Sequence, residues 1–295
     1  MQPVRRSDGI PSSWRRVRVV VIRPAGFIHI HALSEIAETL LHGFQALGCE
    51  AELVENIFTE GCRNVLIGAH LLNETALSAI PADTVVYNFE QASADSKHFQ
   101  PDYLSILRKF RIWDYSVGNI AWLSRLIDHG RLQHVPIGYV PQLSRIAPAS
   151  EKDIDVLFYG SVNDRRRVVL EALRDAGLVT HVAFGVYGVE RDALIARART
   201  ILNMHFYPTS IHEIVRTSYL LSNRKAVVTE AGNDTEMDAE LRRAVAAVSY
   251  DALVPTCMAL VRDDARRHTL EETGFAIFSR RNEAEILLKA MQSAA

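Results

Sequence analysis

The sequence predicts an α/β protein of two Rossmann-like, doubly wound domains facing a cleft. Three observations carry that expectation. Short apolar runs of strand length alternate with amphipathic helical stretches. The pattern stops at a proline-bearing stretch without periodicity, PQLSRIAPASEKD at 141–153, and then restarts. The 295 residues, 48% hydrophobic and 23% charged, can fill two cores of ordinary globular composition.

The first strand is VRVVVI at 17–22, apolar throughout as a strand covered on both faces should be. The loop RPAGFIHIH leads into a helix with Leu33, Ile36, Ala37, Leu40, Leu41 and Phe44 on one stripe. Gly48 stops that helix. Further strands are expected at 51–56, 63–69, 83–89, 110–116 and 134–140, with helical stretches between several of them. Beyond the linker, IDVLFYGS at 154–161 is a strand and DRRRVVLEALRDAG a helix. VTHVAFGVYG, ILNMHFYPTS and KAVVTEAG are the next strands, separated by ERDALIARAR and HEIVRTSYLLSN as helices. From about Thr235 the chain is expected to be mostly helical. The boundaries follow: a mobile tail at 1–16, a first domain at 17–145 and a second at 146–295.

Composition removes several classes. Net charge is −2, and acidic and basic residues are evenly spread, so no basic domain marks a nucleic-acid partner. Cys49, Cys62 and Cys257 share no CxxC spacing, which argues against a disulfide framework or structural zinc and for a reducing, cytoplasmic setting. No apolar run approaches the roughly 18 residues of a membrane helix, and the first sixteen residues lack a signal peptide's apolar stretch. There is no GxxxxGK[ST], no GxSxG, no DxD, and GVYGVE lacks the three-glycine dinucleotide fingerprint.

Ligands of open parallel sheets bind beyond the carboxyl ends of the strands. Candidate residues are sought there. His29 and His31 follow the first strand, beside Gly26, at the start of a helix. An imidazole there suits a general base, because it titrates near neutral pH. The alternative is that one packs under the loop and the other is solvated. Gly160 and Ser161 end the first strand of the second half, and Arg165, Arg166 and Arg167 open the next helix. Helix N-terminal N–H groups with guanidinium groups suit a diphosphate. Three consecutive arginines cannot share one face, so Arg165 and Arg166 are assigned to the ligand. Alternatively the helix is merely capped, with its arginines on the wet face. Glu213 and Arg216, three apart, share a helix side, where they could meet a ribose and a phosphate. Ser210-x-x-Glu213 equally reads as a capping box. Glu90, with Asn88 and Gln91, follows one strand, and Asp114, Tyr115, Ser116 and Asn119 follow another. Asn203 and His205 lie in the strand at 201–206, and Tyr187 lies near the end of the VTHVAFGVYG strand. Polar groups at strand ends are candidates for hydrogen bonding a sugar or an acceptor.

Together these segments resemble glycosyltransferases of the GT-B fold, and among them the group-1 type related to the CgeB-like branch. The likeness runs from about Val17 to Arg281. It rests on DVLFYGSVNDRRR, on Arg216 through Asn223 ahead of KAVVTE, on YDALVPTCMALVRDDARRHTLEETG, and on GFIHIHALSEIAETLLHGFQALGCEAEL. Tyr219 stands where the family carries a helix glutamate, and the family's E-x7-E pair is absent. The resemblance implies transfer of a sugar from a nucleotide diphosphate donor to a glycan, protein or small-molecule acceptor. The donor set would be Gly160, Ser161, Arg165, Arg166, Tyr187, Asn203, His205, Glu213 and Arg216. His31, His29 and Glu90 would be catalytic. Arg165 and Arg216 would replace a metal at the diphosphate, so neither a metal nor another cofactor is expected. Two other readings stand beside it: a metal-dependent hydrolase built on His29-x-His31, and a non-catalytic nucleotide- or sugar-binding module.

Overall fold

The computed structural model describes residues 9–93, 96–206, 211–232 and 234–293. It divides into two compact units. The first runs to Val140 and resumes at Arg281; the second is Pro141–Arg280.

The first unit carries a parallel six-stranded sheet. Its strands are β1 (Arg16–Val21), β2 (Glu50–Glu55), β3 (Arg63–Ile67), β4 (Val85–Asn88), β5 (Arg111–Asp114) and β6 (Leu132–His134). Their spatial order is β2-β1-β3-β4-β5-β6. Helix α1 (Ser34–Leu47) follows β1 and ends at Gly48 in the left-handed conformation. Helices α2 (Pro101–Lys109) and α3 (Val117–Leu123) flank β5 in sequence. The second unit repeats the plan with β7 (Ile154–Tyr159), β8 (Thr180–Ala183), β9 (Ala198–Asn203), β10 (Ala226–Glu230) and β11 (Ala246–Val248). All pair parallel, in the order β11-β10-β9-β7-β8. Its helices are α4 (Asp164–Asp175), α5 (Gly188–Arg197), α6 (Ile214–Ser222), α7 (Ala239–Ala244), α8 (Leu253–Arg262) and α9 (Asp264–Phe278). The two-sheet doubly wound architecture expected from the alternation is present.

In both sheets the order reverses beside the first strand of the unit. Chains leave β1 and β3 in opposite directions across the sheet, and likewise β7 and β9. Such switch points open a crevice at the carboxyl edge without any side chain being removed. The loop holding His29 and His31 therefore starts at one switch point, and Gly160 and Ser161 stand at the other.

Four details depart from the sequence reading. Trp14, assigned to a mobile tail, is 2% exposed and stacks on Trp113 with ring centroids 5.3 Å apart, so the ordered chain starts ahead of β1. The strand placed at 134–140 lies at 132–134, since Pro136 has no N–H to give a ladder. Part of the expected linker is tied down: the N–H groups of Arg145 and Ile146 both donate to Asn223 Oδ1 at 2.8 Å. A short strand, β11, interrupts the stretch read as helical.

The last helix, α10 (Glu283–Gln292), assigned by sequence to the second domain, packs on α1 of the first unit. Gly43 makes this possible. A Cβ there would come within 2.7 Å of Glu283 Cγ and Leu287 Cδ1. Glu283 is fully buried, and one carboxylate oxygen accepts the Gly138 N–H at 2.6 Å. Burial pushes its carboxyl up to about 7. The protonated form is thus favoured in the fold, and its contribution is complete below about pH 4.5 and lost as pH rises through about 7. Glu283→Gln should therefore melt higher than the natural chain at pH 8, by up to about 3 kcal/mol of stability, with the advantage shrinking toward pH 5. Urea melts at both pH values measure this; an equal difference at both would refute it.

Candidate functional site

The carboxyl edge of the second sheet collects three guanidinium groups and two carboxylates. The turn after β7 places Gly160 at φ +140°, a conformation that side chains rarely adopt. Asn163 then caps α4, its Oδ1 accepting the Arg166 N–H at 3.0 Å. That cap aims Arg165 and Arg166 back over the sheet edge, while Arg167 pairs with Asp164 on the outside.

Arg166 is 3% exposed. Its guanidinium carbon lies 5.2 Å from the ring centroids of both Phe158 and Phe206. Its N–H groups donate to the carbonyls of Ser161, at 2.8 Å, and Met204. Burial lowers it to about 10, with Glu213 opposing and Arg216 and Arg165 adding to the drop. It therefore stays charged at neutral pH. Arg165 stands 4.0 Å over the Tyr250 ring and grips Glu230 through two parallel hydrogen bonds. Glu230 ends β10 and also accepts the His205 N–H at 3.1 Å. Arg216, on the first turn of α6, stacks 4.8 Å from the Tyr159 centroid and donates to Asn203 Oδ1 at 2.6 Å. Glu213 is shared: its oxygens lie 3.5 Å from Arg166 and 3.3 Å from Arg216.

The charge balance is uneven. Arg165 and Glu230 neutralise one another, while Arg166 and Arg216 share Glu213, so one positive charge is left over. Of the two, Arg216 has the more exposed side chain, 16% against 4%.

Sequence reasoning named Gly160, Ser161, Arg165, Arg166, Asn203, His205, Glu213 and Arg216, and all occur at this edge, on β7, β9, α4 and α6 or the turns beside them. Asn203 ends β9, and His205 lies just past it rather than within it. Arg165 and Arg166 were assigned to a ligand; the structure directs their N–H groups to Glu230 and to backbone carbonyls. They hold the edge in shape and supply its field. Tyr187 caps α5 beyond β8 and is half-buried. Ser210 of the capping box lies outside the described residues, and Glu213 itself is the residue preceding α6. Sequence reasoning missed Glu230, Tyr159 and Tyr250. Glu230 closes an apolar strand, and that signal was available; the two tyrosines carried none.

In the first unit His31 Nε2 accepts from Arg23, which also bonds Glu55. His29 is exposed, its ring edge-on to Phe27. Glu90 does not join them. It lies 3.4 Å from His70 Nδ1 and 3.3 Å from His98 Nε2. Among the described residues, these three are the His, Cys, Asp and Glu side chains close enough to share one ion, and His29 and His31 are not among them. Asn88, Asp114, Ser116 and Asn119, read as candidates for bonding a sugar or an acceptor, are at most 1% exposed and bond to one another. They brace the sheet edge from inside.

No family model matches the chain. Proteins L140 and L137 of Acanthamoeba polyphaga mimivirus, both uncharacterized, are 28% identical over 185 residues and 26% identical over 165. The matches cover 59% and 54% of this chain but only 58% and 22% of those proteins. Solved structures match over nearly the whole length. Anabaena HepE in complex with UDP and glucose has a TM-score of 0.59 at 11% identity, with 94% of this chain and 99% of that one covered. Sucrose-phosphate synthase from Thermosynechococcus elongatus gives 0.60 at 10%, covering 95% and 98%. T4 phage BGT in complex with its UDP-glucose substrate gives 0.56 at 11%, covering 95% and 99%. At such identities the likeness is one of fold, and that fold is GT-B.

The strain at Gly160 gives a local test. An added Cβ would stand 3.2 Å from Arg216 Nη2, in a backbone conformation unfavourable to alanine. Gly160→Ala should cost about 1–3 kcal/mol in urea unfolding. A variant as stable as the natural chain would show that this turn is not under constraint.

Proposed function

We propose that the chain is a glycosyltransferase that takes a sugar from a nucleoside diphosphate donor bound at the carboxyl edge of the second sheet. The surplus guanidinium charge at the β7–β9 switch point carries this reading. A diphosphate has the charge and the oxygens to satisfy it, and Arg216 has the exposure to reach it. Ser161, exposed at the turn before α4, would contact phosphate, and Glu213 would accept from ribose hydroxyls. Arg165 and Arg166 would contribute through their field and by fixing Glu230 and the turn. The diphosphate leaves as an anion, so fixed cations that strengthen with its developing charge lower the barrier. No metal is needed at that diphosphate in this reading. His29 or His31 would take the acceptor's proton if configuration inverts, or position the sugar if it is retained. HepE and T4 phage BGT, solved with UDP-sugar components, share the fold and support the choice of donor class. Within the GT-B likeness, the CgeB-like branch remains our assignment from sequence alone. The acceptor is a glycan, protein or small molecule, and no nucleic-acid partner is proposed. None of the described helices is long and apolar enough to cross a membrane; we place the protein in the cytoplasm from its cysteine usage.

A panel of nucleoside diphosphates and their sugars tests this by thermal shift. At about 100 times the dissociation constant, a matching donor should add roughly 2.7 kcal/mol of stability. Arg216→Ala should abolish that gain, and a chelator should leave it unchanged. No shift with any nucleotide would defeat the proposal. Release of sugar from the donor in the absence of acceptor separates an enzyme from a binding module.

A further inference from the structure

We propose that His70, Glu90 and His98 form a binding site for a divalent transition-metal ion of the zinc class in the first unit. The site goes beyond donor binding, which involves the other unit.

Strand register brings the ligands together. Ile67 of β3 pairs with Tyr87 of β4. His70 follows β3 by three residues, in a single 3-10 turn at Ala69–Leu71, and Glu90 follows β4 by two. Adjacent parallel strands thus deliver one imidazole and one carboxylate to the same point. His98 arrives from the segment leading into α2. The Oε1–Nδ1 and Oε2–Nε2 separations are 3.4 and 3.3 Å, and all three donor atoms lie within 4.8 Å of one another. Donor atoms around one tetrahedral zinc, at bond lengths of about 2.0–2.1 Å, stand roughly 3.3 Å apart. Each imidazole already stands at that separation from one of the two carboxylate oxygens, and side-chain rotation within the 4.8 Å limit brings the three ligand atoms around one ion.

Glu90 is held in advance. Its N–H donates to Asn88 Oδ1 at 3.0 Å, and its carbonyl accepts from Asn88 and Asn119 at 2.9 and 3.0 Å. Asp114 orients both amides, and Tyr103 adds a hydrogen bond to Asn88. His70 lies edge-on to Tyr103, 6.0 Å between centroids, with a side chain only 10% exposed. Burial keeps His70 below the usual imidazole range, with Glu90 opposing and His98 assisting. Burial thus disfavours the imidazolium form, which binds no ion. A buried network that fixes the ligand behind it is what metal sites use to set geometry. Two imidazoles and a carboxylate suit zinc, or cobalt in its place, better than magnesium or calcium, which prefer oxygen. Three protein ligands leave a fourth position for a water or a hydroxyl oxygen. His98 is half exposed, which gives the ion a way in.

The test uses the full chain, stripped with chelator and titrated with zinc chloride by calorimetry. One ion per chain should bind, with affinity falling as pH is lowered because protons compete with the ion for its ligands. His70→Ala, His98→Ala and Glu90→Gln should each weaken binding by at least about 100-fold. His268→Ala, which disturbs an unrelated His–Glu pair 2.9 Å apart, should leave it unchanged. Cobalt added to the natural chain should give the intense visible bands of a tetrahedral site, a readout independent of whether any variant folds. No saturable uptake, or uptake that survives all three substitutions, overturns the proposal. The nucleotide panel is scored separately, so either result stands without the other.

Discussion

A buried guanidinium packed against two phenyl rings organises the second unit. Arg166 cannot shed its charge at neutral pH and cannot reach bulk water, so the chain must supply acceptors around it. Two carbonyls and a share of Glu213 do this. Each of these obligations fixes a neighbour. The Ser161 carbonyl fixes the turn after β7, the Met204 carbonyl fixes the chain leaving β9, and Glu213 fixes the start of α6. The switch point is held open because its three borders are tied to one buried cation. Arg216, sharing the same carboxylate, then faces outward with less than a full counter-charge. An excess of positive charge at this edge follows from how the edge is built.

The fold was legible because parallel sheets write a strong pattern. Strands such as VRVVVI and DVLFYGS are apolar on both faces, and helices between them carry single stripes. What escaped were features set by long-range packing. Trp14 sits in a polar, arginine-rich segment and reads as tail, yet its ring completes a stack with Phe44 and Trp113. The last helix crosses back to α1 because Gly43 leaves a groove there, and nothing local to residues 283–292 records that. The site divided in the same way. Glycine, serine and arginine at strand ends marked the second unit's edge, because special backbone geometry and charge are written locally. Which partner each arginine takes was not readable, since Glu230 lies 65 residues from Arg165. Likewise His70 and His98 flank Glu90 only after β3 and β4 pair.

Tyr219 brings the two themes together. Its phenol donates to Asp192 at 2.7 Å and accepts from Arg145 at 3.2 Å. The guanidinium groups of Arg191 and Arg145 lie over its ring, at 4.7 and 5.5 Å from the centroid. A carboxylate there would face Asp192 directly, a like-charge pair at a buried site. Tyrosine removes that repulsion, keeps the Asp192 bond and anchors α6 to the segment that opens the second unit. The acidic role at the edge then falls to residues that already face arginine. Glu213 precedes α6 and Glu230 ends β10, and each is held by a guanidinium. The carboxylates of this edge are thus the ones that the arginines at the switch point themselves hold.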